Sequence, residues 1–378
     1  MPQGNKMYEV SFMKKKLLAL FLTSSVLLSL VGCASSSGSA NNSGSGAASA
    51  STTASADAGQ TGESNSTPAS TTDEPLKLTY AEVNPEDTIV GQVAADFKTK
   101  VEELSGGSII IDVQYSGVLG SEADVLDGML ANSGAADISR ISAFSLNSYG
   151  SEKSVLLSLP YTFESRDHFW NFAMSDLADE FLDEPYEKGI GVKGLFYGEE
   201  GFRHFFTRTP VNSISDFAGM KIRVSTDPVM TGLVEGLGAY STVVAFGELY
   251  SALQSGLVDG AEQPIANYKS NSFPEVANNL ILDGHTLGAI EIVVASNVWD
   301  SLTEEQQNIL LEAGRYAQEK NRENSQAKED EVLAQLKEEG CNVVEVTDLE
   351  PWKEAVTDIV AQNIVGQEDL YDQILAMK

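Results

Sequence analysis

Cysteine is almost absent. Cys33 and Cys341 are the only two in 378 residues, which argues against a disulfide framework. Histidine is nearly as scarce. His168, His204 and His285 lie far apart and lack metal-ligand spacing. Basic side chains are also few: 24 Lys and Arg stand against 55 Asp and Glu, for a formal net charge of −31. Phosphate binding needs basic surface, so this balance argues against a nucleic-acid partner. It equally disfavours lying flat on anionic lipid. No Gly-x-Ser-x-Gly elbow, Walker-type loop or zinc-protease helix occurs. Paired carboxylates are everywhere in so acidic a chain, and none stands out. Catalysis therefore has little support, and no catalytic residue, cofactor or metal is assigned.

The first residues read as a targeting segment. Lys14, Lys15 and Lys16 form a positive stretch, and Leu17 to Val31 is an apolar run. That run is short for a transmembrane helix. Leu30, Val31, Gly32 and Cys33 then resemble a bacterial lipobox. The expectation is a lipoprotein signal peptide over 1–32 and an acylated Cys33. Residues 33–75 carry almost no large apolar side chains, so they cannot bury enough surface to fold. They read as a disordered tether of Ser, Gly, Ala and Thr, with a root-mean-square span of about 35 Å. A lipid anchor of this kind fits the outer face of a Gram-positive cell membrane.

The body begins near Pro75. Leu76 to Ala81 reads as a strand, and Val90, Ala94, Phe97, Val101 and Leu104 follow at helical spacing. Strands are expected at 109–113, 136–139, 189–197, 202–207, 220–224 and 290–295, with helices between many of them. This alternation implies an α/β fold. Thr303 and Gln306 have capping-box spacing, and the helix they open is expected to reach about residue 339. At 1.5 Å per residue it would be about 55 Å long, enough to bridge two lobes.

Two arginines stand out in β-rich segments: Arg203 in Gly201-Phe202-Arg203, and Arg223 in Gly219-Met220-Lys221-Ile222-Arg223. A guanidinium so placed offers a twin N–H fork to a planar carboxylate. Strand alternation puts Lys221, Arg223 and Ser225 on one face. Arg140 ends the strand Asp137-Ile138-Ser139, where open α/β sheets place ligands. A third arginine there would suit a second carboxylate or an aromatic ring. Glu82 and Asn84 follow the first strand, where a cleft-lining loop would begin.

The stretch from Gly201 to Pro264 resembles the solute-binding proteins of tripartite ATP-independent periplasmic (TRAP) transporters. The resemblance extends over most of the chain after about residue 76. Its near-invariant Gly-x-Lys-x-Arg is matched by Gly219, Lys221 and Arg223, and it implies that Arg223 pairs with the ligand carboxylate. It places Arg203 against ligand or cleft water. It usually has Asn in Asp-Gly-x-Glu-Asn, where this chain has Gln263; the longer side chain alters the pocket. Phe246, ahead of Gly247-Glu248-Leu249-Tyr250, matches an aromatic that packs on the bound molecule, or else it caps its helix as a core residue. His285 matches a histidine near the cleft, and Glu248, Asp259 and Glu262 match carboxylates near the hinge.

The implied fold is the two-lobed periplasmic-binding-protein type, with a ligand cleft between lobes and one long helix spanning both. Lobe I is expected over 76–200 and 289–328, lobe II over 201–288 and 329–378. The implied function is capture of a small organic acid anion by Arg223, Arg203, Gln263, Phe246, Arg140, Glu82 and Ser225. The chain would act as a monomer and deliver the anion to the membrane subunits of a TRAP permease, driven by an ion gradient. A same-fold module feeding a sensor kinase is the alternative, and gene neighbourhood separates the two.

Overall fold

The computed structural model describes residues 74–378. The signal peptide, Cys33 and the tether as far as residue 73 lie outside the described residues. No described helix is long and apolar enough to cross a membrane.

Nine strands form one mixed sheet: β1 (Leu76–Ala81), β2 (Ile109–Gln114), β3 (Ile138–Ser142), β4 (Val192–Thr207), β5 (Lys221–Val224), β6 (Tyr240–Val243), β7 (Gly260–Pro264), β8 (Asn279–Ala295) and β9 (Asn342–Glu345). The order across the sheet is β2-β1-β3-β8-β4-β7-β5-β6, with β9 beside β8. β4 and β8 are the long members, of 16 and 17 residues. They pair antiparallel from Val192 opposite Ala295 to Thr207 opposite Asn279. One end of β8 also pairs with β3, and one end of β4 with β7. The long pair therefore carries a parallel set at each end: β1 with β2 and β3, and β5 with β6 and β7.

Sequence periodicity divides β4 into strands at 189–197 and 202–207, and it places only 290–295 in β8. The chain runs through in both cases. Gly198 to Gly201 interrupts the apolar alternation, but it does not end the strand. It is accommodated by a register shift between Glu199 and Phe202. Gly201 sits at φ +100°, where any other residue is strained. The first part of β8 carries Asp283, Gly284 and His285, polar residues that mask its strand character. All of these lie inside the sheet.

The helices start where the sequence caps them. Thr88 accepts from the Gly91 N–H at the head of Ile89–Leu104. Ser121 and Asp124 form a reciprocal capping box at Glu122–Leu130, and Thr303 and Gln306 form one at Glu304–Glu338. The last of these is 35 residues long, and its two halves sit in different apolar clusters. Leu310, Ala313 and Ala317 pack with Leu78, Phe97 and Phe196. Val332 and Leu336 pack with Phe206, Leu253 and Tyr268. Burying a side chain such as Phe97 contributes about 1.5–3 kcal/mol, so both ends are firmly held.

Between those halves the helix is polar. Asn321 brackets the Glu199 backbone, accepting from its N–H at 2.7 Å and donating to its carbonyl at 3.0 Å. Arg166 donates to Glu329 at 2.6 Å and also binds Glu199, which accepts in turn from Ser325. The helix middle is thus bonded to the β4 bulge by directional polar contacts rather than by interdigitated side chains.

Candidate functional site

A cleft of about 700 Å³ opens where β3, β4, β5 and β7 bring their polar side chains together. Its lining includes Arg140, Arg203, Arg223, Ser225, Phe246 and Gln263. Each is set by a backbone position. Arg140 lies on β3 opposite Ile292, Arg203 on β4 opposite Pro264, Gln263 on β7 opposite His204, and Arg223 on β5 opposite Thr242. The Ser148 hydroxyl donates to the Thr226 carbonyl at 3.2 Å and ties the two rims together.

The three arginines are all buried, but they differ in partners. Arg140 donates through Nε and a terminal nitrogen to the two carboxylate oxygens of Glu82, at 3.1 and 2.9 Å, and to Glu122 at 3.2 Å. Burial disfavours its charge, yet Glu82 and Glu122 outweigh burial and raise its pKa. Arg203 grips Glu262 in the same forked way and donates to Glu200 at 2.9 Å. Here too the carboxylates overcome burial and the pKa rises. Arg223 has no carboxylate. Its Nε donates to the Val244 carbonyl at 2.8 Å, and its other nitrogens have no bond to the described residues. Burial dominates, Glu262 restores part of the loss, Arg203 adds repulsion, and the pKa falls to about 10. Arg223 stays a cation at neutral pH, desolvated and unpaired.

Behind Arg203 lies a second polar layer. Burial would raise the Glu262 pKa, but Arg203 and His285 draw it down to about 2. His285 is fully buried. Burial lowers its pKa, whereas Asp283, bonded at 2.6 Å, and Glu262, at 3.6 Å, raise it to about 9. It is therefore an imidazolium that buttresses Glu262. His204 faces the opposite balance. Burial lowers it to about 4, and its Nδ1 accepts from the Gly284 N–H at 2.9 Å.

Of the residues read from the sequence, Arg223, Arg203, Gln263, Phe246, Arg140 and Ser225 line the cleft. Glu82 does not. It sits behind Arg140 as its counter-ion, 1% exposed, so direct ligand contact is corrected to support of Arg140. Arg140 already gives three of its five N–H donors to Glu82 and Glu122, which balance its charge while it lines the cleft. Phe246 is half-buried, with its ring set edge-on to Phe273 at 6.0 Å. Two site residues escape sequence reasoning. Asn267 follows β7 in a six-residue helix and donates to Glu200 at 2.8 Å. Glu122 sits in the first turn of its helix and accepts from Ser145. Neither carries a motif; only the β7-to-helix turn and the Ser121 cap locate them.

Residues 80–366 match the family described as bacterial extracellular solute-binding protein, family 7. The chain belongs to this family, the solute-binding proteins of TRAP transporters. It is 30% identical over 271 residues to a solute-binding protein of Roseobacter denitrificans, covering 72% of this chain and 82% of that one. It is 26% identical over 291 residues to the C4-dicarboxylate-binding periplasmic protein DctP of Rhodobacter capsulatus, covering 76% and 86%. Among solved structures, a TRAP periplasmic solute-binding protein of Pseudomonas putida F1 with bound D-glucuronate superposes with a TM-score of 0.76 at 27% identity, over 79% of this chain and 96% of that one. One of Sulfurospirillum deleyianum with bound succinate superposes at 0.74 and 26%, over 80% and 99%. The family is extracytoplasmic and serves transport; its members are not enzymes.

Proposed function

We propose that this protein captures an organic acid anion outside the cytoplasm and hands it to the membrane subunits of a TRAP permease. The observation that carries this reading is Arg223: a buried cation, aimed by Val244, with no acidic partner in a cleft of small-molecule size. Holding a desolvated charge unpaired is costly. A carboxylate that supplies two charge-assisted bonds relieves that cost, at roughly 1.5–3 kcal/mol per bond. The relatives named above with glucuronate, succinate or C4-dicarboxylates in their descriptions support the same ligand chemistry.

Capture works by closing the cleft. The Ser148–Thr226 bond joins rims that belong to the proposed lobes I (76–200, 289–328) and II (201–288, 329–378). The β4 bulge and the polar middle of the long helix supply the pivot, because directional bonds re-form after small rotations more readily than a packed core does. The chain acts as a monomer tethered through an acylated Cys33 to the outer face of the membrane. The lipobox residues alone support that anchor, and the named relatives come from Gram-negative bacteria.

A thermal-shift screen of organic acids tests the capture reading. A true ligand raises the melting temperature with dose, by mass action. A screen in which no carboxylate does so would overturn it.

A further inference from the structure

The pivot carries a charge imbalance that bears on how the cleft closes; this step rests on the capture reading above. Arg166 opens the helix Arg166–Ala173 and meets two acids from two other elements. It binds Glu199 of β4, donates to Glu329 of the long helix at 2.6 Å, and donates to Ser325 at 3.2 Å. Glu199 is fully buried and Glu329 is 9% exposed. One guanidinium thus holds two sheltered carboxylates, with one negative charge in surplus. Water has little access to screen that surplus, so a proton neutralises it.

The bonding pattern decides which acid takes the proton. Glu199 accepts from Arg166, from Ser325 and from the Gly201 N–H at 2.6 Å. Among the described residues Glu329 accepts from Arg166 alone. Burial raises Glu329 most, Arg166 draws it down, Glu199 and Asp330 push it up again, and the balance falls at about 7. His204, further along β4, is lowered to about 4 by burial and does not share this titration.

The two acids lie on opposite sides of the proposed lobe boundary. Glu199 comes before position 201 of β4, and Glu329 comes after position 328 of the long helix. A turn of one lobe against the other that parts them, or admits water at Glu329, returns that carboxyl toward its ordinary value of about 4.3. The Ser148–Thr226 bond joins the rims here, so the shut cleft is the form that holds the extra proton. We infer that Glu329 is a proton-operated latch at the pivot: closure takes up a proton there, so anion capture tightens as the pH falls and loosens as it rises. The closed-state contribution is complete at low pH and is lost as the pH climbs through about 7.

The test uses D-glucuronate as probe, whose carboxylate stays ionised over the range. Calorimetry on the full chain should show about tenfold tighter binding at pH 6 than at pH 8. Proton uptake near pH 7 should appear as a dependence of the heat on buffer ionisation enthalpy. Glu329→Gln keeps an acceptor for Arg166 without the charge, and it should bind equally well at both pH values. Glu329→Ala removes the same proton and serves if the Gln variant fails to fold. A second reading needs no ligand: spin labels at Val118→Cys and Tyr240→Cys, both exposed, on a Cys33→Ser, Cys341→Ser background. Their separation should shorten from pH 8 to pH 6, and it should ignore pH once Glu329 is replaced. A pH slope that survives replacement of Glu329 would overturn the latch, as would a native sequence in which neither affinity nor separation follows pH. Either result leaves anion capture standing. Capture fails separately, through silence in the wider acid screen, and the label separation then decides the latch alone.

Discussion

Arg223 Nε donates to the Val244 carbonyl at 2.8 Å, and this is the only protein bond of that guanidinium among the described residues. Val244 directly follows β6, the strand beside β5, so the bond fixes the arginine across two neighbouring strands. Removing the side chain should leave the fold intact and abolish the anchor. Arg223→Ala is expected to weaken binding of the tightest acid by about 2–5 kcal/mol. Its melting temperature should not fall, since a buried unpaired charge has gone. Calorimetry and a melting curve read the two effects separately; near-normal affinity would contradict the assignment.

Arg203 and Glu262 behave differently, because each satisfies the other. Arg203→Met leaves Glu262 with only His285 and Glu200 with only Asn267 beside it, and it should destabilise the protein by about 3–5 kcal/mol. Adding Glu262→Gln should recover part of that loss. A double-mutant cycle in urea measures the coupling, and simple additivity would refute it.

Glu291 tests the interior of β8. It is fully buried, with neither carboxylate oxygen partnered. Burial, with Glu184 nearby, pushes its pKa well above 4.5. The folded state therefore holds a proton that the unfolded chain releases, and its contribution to stability is complete only below pH 4.5. It is lost progressively as the pH rises toward the folded-state value. Glu291→Met should remove this slope and stabilise the protein at pH 8 more than at pH 5. Urea midpoints at the two pH values check the sign.

Gly201 tests the bulge. At φ +100° a Cβ would be strained, and it would overlap Glu329 Oε2. Gly201→Ala should cost about 1–3 kcal/mol and loosen the Arg166–Glu329 contact. Burial, against the pull of Arg166, already raises Glu329 to about 7. Weakening Arg166 should raise it further, a change that carboxyl NMR titration would detect.

How much of this was legible beforehand follows from what each residue depends on. Arg223, Arg203 and Gln263 sit in local motifs, so the residues could be picked out directly; the strands of Arg223 and Arg203 were expected, but that of Gln263 (Gly260–Pro264) was not. The 35-residue helix was legible because one capping box and one long polar-faced period define it. The continuity of β4 and β8 was not. Polar and glycine residues at 198–201 and 283–285 look like turns until their partners across the sheet are known. The neutralised state of Arg140 depends on Glu82, 58 residues away, and no window of sequence contains that pairing. The helices at Arg166–Ala173 and Asp176–Glu187 were not expected, although Ser165 and Ser175 cap their starts and Leu177, Ala178, Phe181 and Leu182 recur at helical spacing.

The unbroken course of β4 and β8 has a consequence for dissection. Any cut between the parallel sets leaves each fragment with half of a 16- or 17-residue strand and a raw hydrogen-bonding edge. Neither fragment would be a self-sufficient domain. Separately expressed halves should aggregate, and the intact chain should melt in a single cooperative step rather than lobe by lobe.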